Sequence, residues 1–150
     1  IAQVTQEAYD NGDYIFVAMD RHDEGDTFHP ETKLFPPHNI AGTDGRELYG
    51  KLAGVYDAIK DDHRVFWMDK RHYSAFSGTD LDIRLRERRV TTVVLTGVLT
   101  DICVLHTAID AYNLGYDIEV VESATASLTP EAHDFAIGHL KNVLGATIVE

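Results

Sequence analysis

The chain has 150 residues, 44% of them hydrophobic and 25% charged, and its formal net charge is −12. That length suits one domain, residues 1–150, with a buried core, and no apolar stretch reaches the roughly 20 residues that span a bilayer. The acidic balance repels nucleic-acid phosphates and anionic lipid, so no nucleic acid and no membrane is expected as a partner. Arg84, Arg86, Arg88 and Arg89 form the one basic cluster, and Asp80, Asp82 and Glu87 interleave it as on a solvated helix face. The single cysteine, Cys103, cannot close an internal disulfide and no signal peptide is recognisable, which points to a reducing cytoplasm.

Ile1 to Tyr9 reads as part of a helix, and Asn11-Gly12-Asp13 turns out of it. Tyr14 to Met19 is a continuous apolar run between polar residues, the composition of a strand buried on both faces of a parallel sheet. Asp20-Arg21-His22 follows. From Asp23 to Gly45 the chain is rich in Asp, Glu, Pro, His, Thr and Gly without periodicity, a loop long enough to serve a function. Leu48, Leu52, Val55 and Ile59 mark an amphipathic helix, and Val65 to Met68 a second buried strand. Ser77 to Asp80 opens a helix that ends near Arg89. Val93 to Thr96 has strand composition, Gly97 supplies a turn, and Thr100 or Asp101 is the expected N-cap of a helix running to Gly115. A fourth strand at Ile118–Val121, a loop at Glu122–Thr129, a helix at Pro130–Leu144 and a last strand at Thr147–Val149 complete the chain. Strands alternate with helices throughout, so an α/β fold is expected: an open, mainly parallel, doubly wound sheet with helices on both faces. Sites in such sheets lie at the carboxyl ends of the strands.

Three polar groups fall at such ends. Cys103 lies within a turn of a helix start, where N–H groups and the macrodipole favour a thiolate and could hold a developing oxyanion. A buried cysteine used as a small apolar residue is the alternative from position alone. Asp20-x-His22, with His38 further along the loop, supplies a carboxylate and two imidazoles, the ligand set of a divalent metal with open positions. Glu31 is a candidate fourth ligand or the holder of a ligated water, and the set suits zinc, manganese or iron. His29 lies in the same loop, where Phe28-His29-Pro30 reads as loop structure. Lys70 follows the second strand, and an ammonium at a site edge lowers a thiol's pKa. His106, three residues beyond Cys103, is read as packed within its helix surroundings rather than as a general base.

The stretch Thr96-Gly97-Val98-Leu99-Thr100-Asp101-Ile102-Cys103-Val104 resembles the signature of the isochorismatase-like cysteine hydrolases. Lys70-Arg71-His72-Tyr73-Ser74-Ala75-Phe76 resembles their lysine-bearing segment. Within that superfamily Asp20-x-His22 and Leu34-Phe35-Pro36-Pro37-His38 are similar to nicotinamidases (pyrazinamidases), including bacterial ones with a glutamate at the position of Glu31. The resemblance runs from Tyr14 to Val149 and implies a three-layer α/β/α fold.

It implies a mechanism as well. Cys103 would attack the carboxamide carbon of nicotinamide, with pyrazinamide as an analogue. Backbone N–H groups of Leu99 and Cys103 would hold the oxyanion beside a cis Val98–Leu99 peptide. Lys70 would stabilise the thiolate. One divalent ion, zinc before manganese or iron, would sit on Asp20, His22, His38 and Glu31 and fix the pyridine ring. Phe35, Tyr73 and Leu99 would line that ring. The product, nicotinic acid, belongs to NAD salvage, and assembly into a homo-oligomer is plausible for the family. Family members begin with a central strand ending in an aspartate, the proton shuttle of an Asp-Lys-Cys triad. No residue here matches that aspartate, so a preceding segment is expected. Other readings stay open: another amidohydrolase of the superfamily, acting on a carbamoyl or different amide, or a non-catalytic metal-binding domain.

Overall fold

A computed structural model describes residues 1–150. Five α-helices and five strands alternate along the chain: α1 (Ala2–Asp10), β1 (Ile15–Asp20), α2 (Lys51–Ile59), β2 (Val65–Lys70), α3 (Leu81–Glu87), β3 (Thr92–Val98), α4 (Leu105–Leu114), β4 (Asp117–Ala126), α5 (Pro130–Asn142) and β5 (Thr147–Val149). All strand pairs are parallel, and they form two sheets, β1-β2 and β3-β4-β5. No strand of this chain pairs with the second edge of β1 or of β3. No helix is long and apolar enough to cross a membrane.

The chain divides into two compact units, Ile1–His72 and Tyr73–Glu150. In the first, β1 and β2 run in register from Ile15 beside Val65 to Asp20 beside Lys70. Pairing carries β2 two residues past its apolar run, so Asp69 and Lys70 belong to the strand and not to the loop after it. At the other end of these strands Tyr9, Asp62 and Arg64 lock α1 to the turn before β2. The Tyr9 hydroxyl donates to Asp62 at 2.8 Å, and Arg64 donates to the Tyr9 carbonyl at 3.0 Å. The N–H and guanidinium of Arg64 hold the Asp62 carboxyl far below its ordinary range. The expected loop between β1 and α2 is aperiodic except for two short 3₁₀ turns, Pro30–Lys33 and Asp44–Arg46.

The second unit is built on β3-β4-β5. Three expectations are corrected here. Gly97 lies inside β3, with a φ of +120° that is cheap only for glycine, and Val98 continues the strand. Next, β4 does not end at Val121 but runs to Ala126. The register explains it: Leu95 pairs with Val120 and Gly97 with Thr125, so two steps on β3 match five on β4, and the bulge resumes the ladder beyond Glu122. Finally, the segment after β3 opens as a π-helical turn, Thr100–Val104, without a side-chain cap, and passes into α4 only at Leu105. The capping hydroxyl and carboxylate expected of Thr100 and Asp101 are engaged elsewhere. Further on, Thr129 caps α5 by accepting from the Ala132 N–H at 3.2 Å, with Pro130 in the first turn.

Val120, Ala136 and Leu140 are completely buried, and Leu140 is the largest of them. Replacing Leu140 by alanine removes three buried carbons and leaves a cavity, a change of about 2–5 kcal/mol. The urea midpoint of Leu140→Ala is expected to fall accordingly. A midpoint within experimental scatter of the parent would show that α5 does not depend on this contact.

Candidate functional site

The carboxyl ends of β1 and β2 gather the polar residues of the first unit. The register that sets Asp20 beside Lys70 brings their side chains into an ion pair: Nζ of Lys70 donates to Oδ1 of Asp20, and to the His72 carbonyl at 3.1 Å. Lys70 is 5% exposed. A buried ammonium needs such a partner, and the pair ties a candidate metal ligand to the lysine assigned to the thiol.

His22 comes two residues after Asp20, at the point where the long loop returns. Its N–H donates to the Asn39 carbonyl at 3.2 Å, and its carbonyl accepts from the Ala41 N–H at 2.8 Å, forming an isolated parallel bridge with Ile40. The bridge delivers His38 to His22, with ring centroids 4.4 Å apart. The 3₁₀ turn at Pro30–Lys33 delivers Glu31, which is buried. One ligand atom from each of His22, Glu31 and His38 lies within 4.8 Å of the others. Asp20 stands at the edge of this group, its Oδ2 3.8 Å from His38 Nε2.

The hydrogen bonds decide what these atoms can do. A carbonyl only accepts, so the 3.0 Å contact between His38 Nδ1 and the Pro36 carbonyl puts the proton of neutral His38 on Nδ1 and leaves Nε2 a lone pair. That lone pair faces Glu31 Oε2 at 3.7 Å and Asp20 Oδ2 at 3.8 Å. Nε2 of His22 is 3.9 Å from Glu31 Oε2, and neither nitrogen of its buried ring has a hydrogen-bond partner. Burial pushes the His22 imidazole below its ordinary pKa, and the neighbouring rings of His29 and His38 add to this. A neutral ring without a partner among carboxylates is an unmet demand for positive charge. Two imidazoles and two carboxylates, one of the imidazoles held by a backbone carbonyl, fit a divalent ion.

Several residues around this group were not evident in the sequence. His29 is buried, accepts from the Glu31 N–H at 3.3 Å and lies over the His22 ring at 3.8 Å, so it is packing for the cluster rather than plain loop. Arginines staple the loop to the strands. Arg46 donates to the Asp20 carbonyl at 3.2 Å and to Asp69 at 2.5 Å, Arg21 donates to Asp23 and Asp69, and Arg71 to Asp23 and Asp26. The Arg71 guanidinium, helped by the Phe28 N–H, holds the Asp26 carboxyl below its usual range. Phe35 is half-buried, its N–H donating to the Glu31 carbonyl at 2.9 Å.

The second unit holds the cysteine. Cys103 is the fourth residue of the π-helical turn and is partly exposed. The peptide before the turn, Val98–Leu99, is cis. Ile102 and Val104 both give their N–H groups to the Leu99 carbonyl, at 3.2 and 3.1 Å, and the Asp101 N–H goes to Ser127 at 3.3 Å. These three donors are therefore committed and cannot serve an oxyanion. His106 Nδ1 donates to the Ile102 carbonyl at 2.7 Å, and its ring lies 5.2 Å from that of Tyr73, which is half-buried.

A metal held by His22 requires that its loss empty the site. His22→Ala is expected to weaken metal binding about 100-fold or more, beyond the range of outer-shell changes. His63→Ala, at a side chain 87% exposed in another part of the unit, is expected to change nothing. Metal analysis after dialysis checks both, and an unchanged stoichiometry in His22→Ala would remove His22 from the site.

The family model described as the isochorismatase domain matches residues 1–149. An uncharacterized isochorismatase family protein of Bacillus subtilis, PncA, is 53% identical over 150 residues, which are 100% of this chain and 82% of that protein. The crystal structure of a pyrazinamidase/nicotinamidase from Streptococcus mutans is 80% identical, with a TM-score of 0.98 over 99% of this chain and 82% of its own. A pyrazinamidase of Pyrococcus horikoshii in complex with zinc is 27% identical, with a TM-score of 0.84 over 99% of this chain and 82% of its own. The chain thus belongs to the isochorismatase family of hydrolases, in which the α/β fold, the parallel strands and the signature leading to Cys103 all place it.

Proposed function

We propose that the protein is a nicotinamidase, hydrolysing nicotinamide to nicotinic acid and ammonia, and accepting pyrazinamide as an analogue. The observation that carries the reading is the cluster of His22, Glu31 and His38, in which one ligand atom of each lies within 4.8 Å of the others and neither nitrogen of the buried His22 ring has a hydrogen-bond partner. An amidohydrolase that used only its cysteine would have no need of it. The likeness to the Streptococcus mutans pyrazinamidase/nicotinamidase supports the substrate class.

In this reading the metal cluster orients the substrate and Cys103 reacts with it. Asp20, His22, Glu31 and His38 hold one divalent ion, with zinc the first choice, which when bound supplies a Lewis-acidic anchor for the pyridine nitrogen. Phe35, Tyr73 and Leu99 line the ring, so that the carboxamide is presented in one orientation. Lys70 favours the thiolate of Cys103. The thiolate attacks the amide carbon, and the N–H groups of Leu99 and Cys103 take the oxyanion; the neighbouring donors of Asp101, Ile102 and Val104 are already spent. Collapse expels ammonia and leaves a thioester on Cys103, and water then releases nicotinic acid. The resemblance assigns the proton transfers to an aspartate that no residue of this sequence matches. A cytoplasmic setting, a role in NAD salvage and assembly of several copies belong to the same proposal.

The full-length protein is expected to release ammonia from nicotinamide, and Cys103→Ala to lose this while keeping its far-ultraviolet circular dichroism. Loss of a covalent nucleophile costs about 10⁴-fold or more. Undiminished turnover in Cys103→Ala would remove the cysteine from the mechanism. Turnover of carbamoyl amides in preference to nicotinamide would instead move the protein to another branch of the family.

A further inference from the structure

Thr100 is the first residue of the π-helical turn and is completely buried, three residues ahead of Cys103. Its hydroxyl does not cap its own helix. It meets Nδ1 of His133 at 2.9 Å, across 33 residues of chain, in the first turn of α5. On its other side the His133 ring presents Nε2 to Glu122 Oε1 at 3.7 Å. The carboxylate favours the tautomer with the proton on Nε2, so Nδ1 accepts and Thr100 donates. The next residue is clamped in the same manner. Ser127 donates to the Asp101 carboxylate at 2.6 Å and accepts from the Asp101 N–H at 3.3 Å.

We propose that His133 is a positioning residue for catalysis, acting through Thr100 to fix the turn that carries Cys103. This rests on the reading of Cys103 as the nucleophile. A π-helical turn has looser internal hydrogen bonding than an α-helix and owes its shape to what surrounds it. Here the Leu99 carbonyl accepts from both Ile102 and Val104, a shared bond that by itself fixes the turn weakly. The two clamps from the Glu122–His133 segment supply the missing constraint on Thr100 and Asp101, the two residues directly after the proposed oxyanion donor Leu99. His133 touches no reacting atom. Its effect is on alignment of the thiol and the N–H groups, which governs the chemical step, while the pyridine nitrogen is anchored at the cluster of Asp20, His22, Glu31 and His38, away from this hydrogen bond. Loss of the bond therefore lowers kcat and leaves KM nearly unchanged.

The test is a double-mutant cycle in the full-length enzyme with nicotinamide, using Thr100→Val, His133→Ala and the pair. Each single change is expected to lower kcat about 10- to 100-fold with KM within about twofold, as for a misplaced catalytic group. The pair is expected to be no worse than the more damaging single variant. Thr100→Ser restores the hydroxyl, and His133→Asn restores a polar group near Nδ1; both are expected to recover most of kcat. Alkylation of Cys103 by iodoacetamide, the only thiol in residues 1–150, reads the turn without substrate and is expected to slow in Thr100→Val and recover in Thr100→Ser. Unchanged kcat and alkylation in folded Thr100→Val, additive losses in the pair, or failure of Thr100→Ser to rescue would each overturn the assignment. Full turnover in Cys103→Ala would overturn the nucleophile and this assignment together. Loss of turnover in Cys103→Ala with unchanged Thr100→Val would overturn this one alone.

Discussion

Ligand atoms of His22, Glu31 and His38, gathered in a small space with both nitrogens of the buried His22 ring unpartnered, constrain the first unit more than any other feature. Glu31 is buried, His22 is buried with both ring nitrogens unpartnered, and His38 turns its remaining lone pair toward two carboxylates. Such an arrangement is unfavourable in isolation, because each buried polar atom loses its water and gains nothing in return. It becomes favourable once a cation is shared among the acceptors. The surrounding chain is organised to keep the strain in place: the bridge at Ile40 delivers His38, the 3₁₀ turn delivers Glu31, and the arginines hold the loop to β1 and β2.

The pair between Asp20 and Lys70 has a different consequence. It arises directly from strand register, since the two residues stand opposite each other at the ends of β1 and β2. Asp20 thereby has one oxygen toward the lysine and one toward His38. In the proposed mechanism the group that would orient the ring and the group that would tune the thiol share one carboxylate. A change in the charge of either side is felt by the other, which couples orientation to nucleophile activation in the proposed mechanism.

Much of the architecture was legible in the sequence because continuous apolar runs, Val65–Met68 among them, mark strands buried on both faces. What was not legible depended on partners distant in the chain. Glu122, Ser123 and Thr125 look like loop residues, yet β4 includes them because the bulge opposite Leu95 and Gly97 lets the ladder resume. Thr100 and Asp101 look like caps, and lose that role to His133 and Ser127, which only the fold brings near. His29 reads as a loop residue because nothing local shows that His22 lies under its ring. The candidate ligands were visible as residue types, Asp20 and His22 at a strand end and Glu31 and His38 in the loop after it, whereas the Asp20–Lys70 pair needed the register.

The central claim is that Cys103 forms a covalent intermediate with a pyridine carboxamide. Acid quenching of the full-length enzyme during turnover of nicotinamide, followed by digestion and mass spectrometry, tests it directly. A nicotinoyl thioester is expected on the peptide that carries Cys103, absent when substrate is omitted. A nicotinoyl group found on a different residue, with the Cys103 peptide unmodified during turnover, would contradict it.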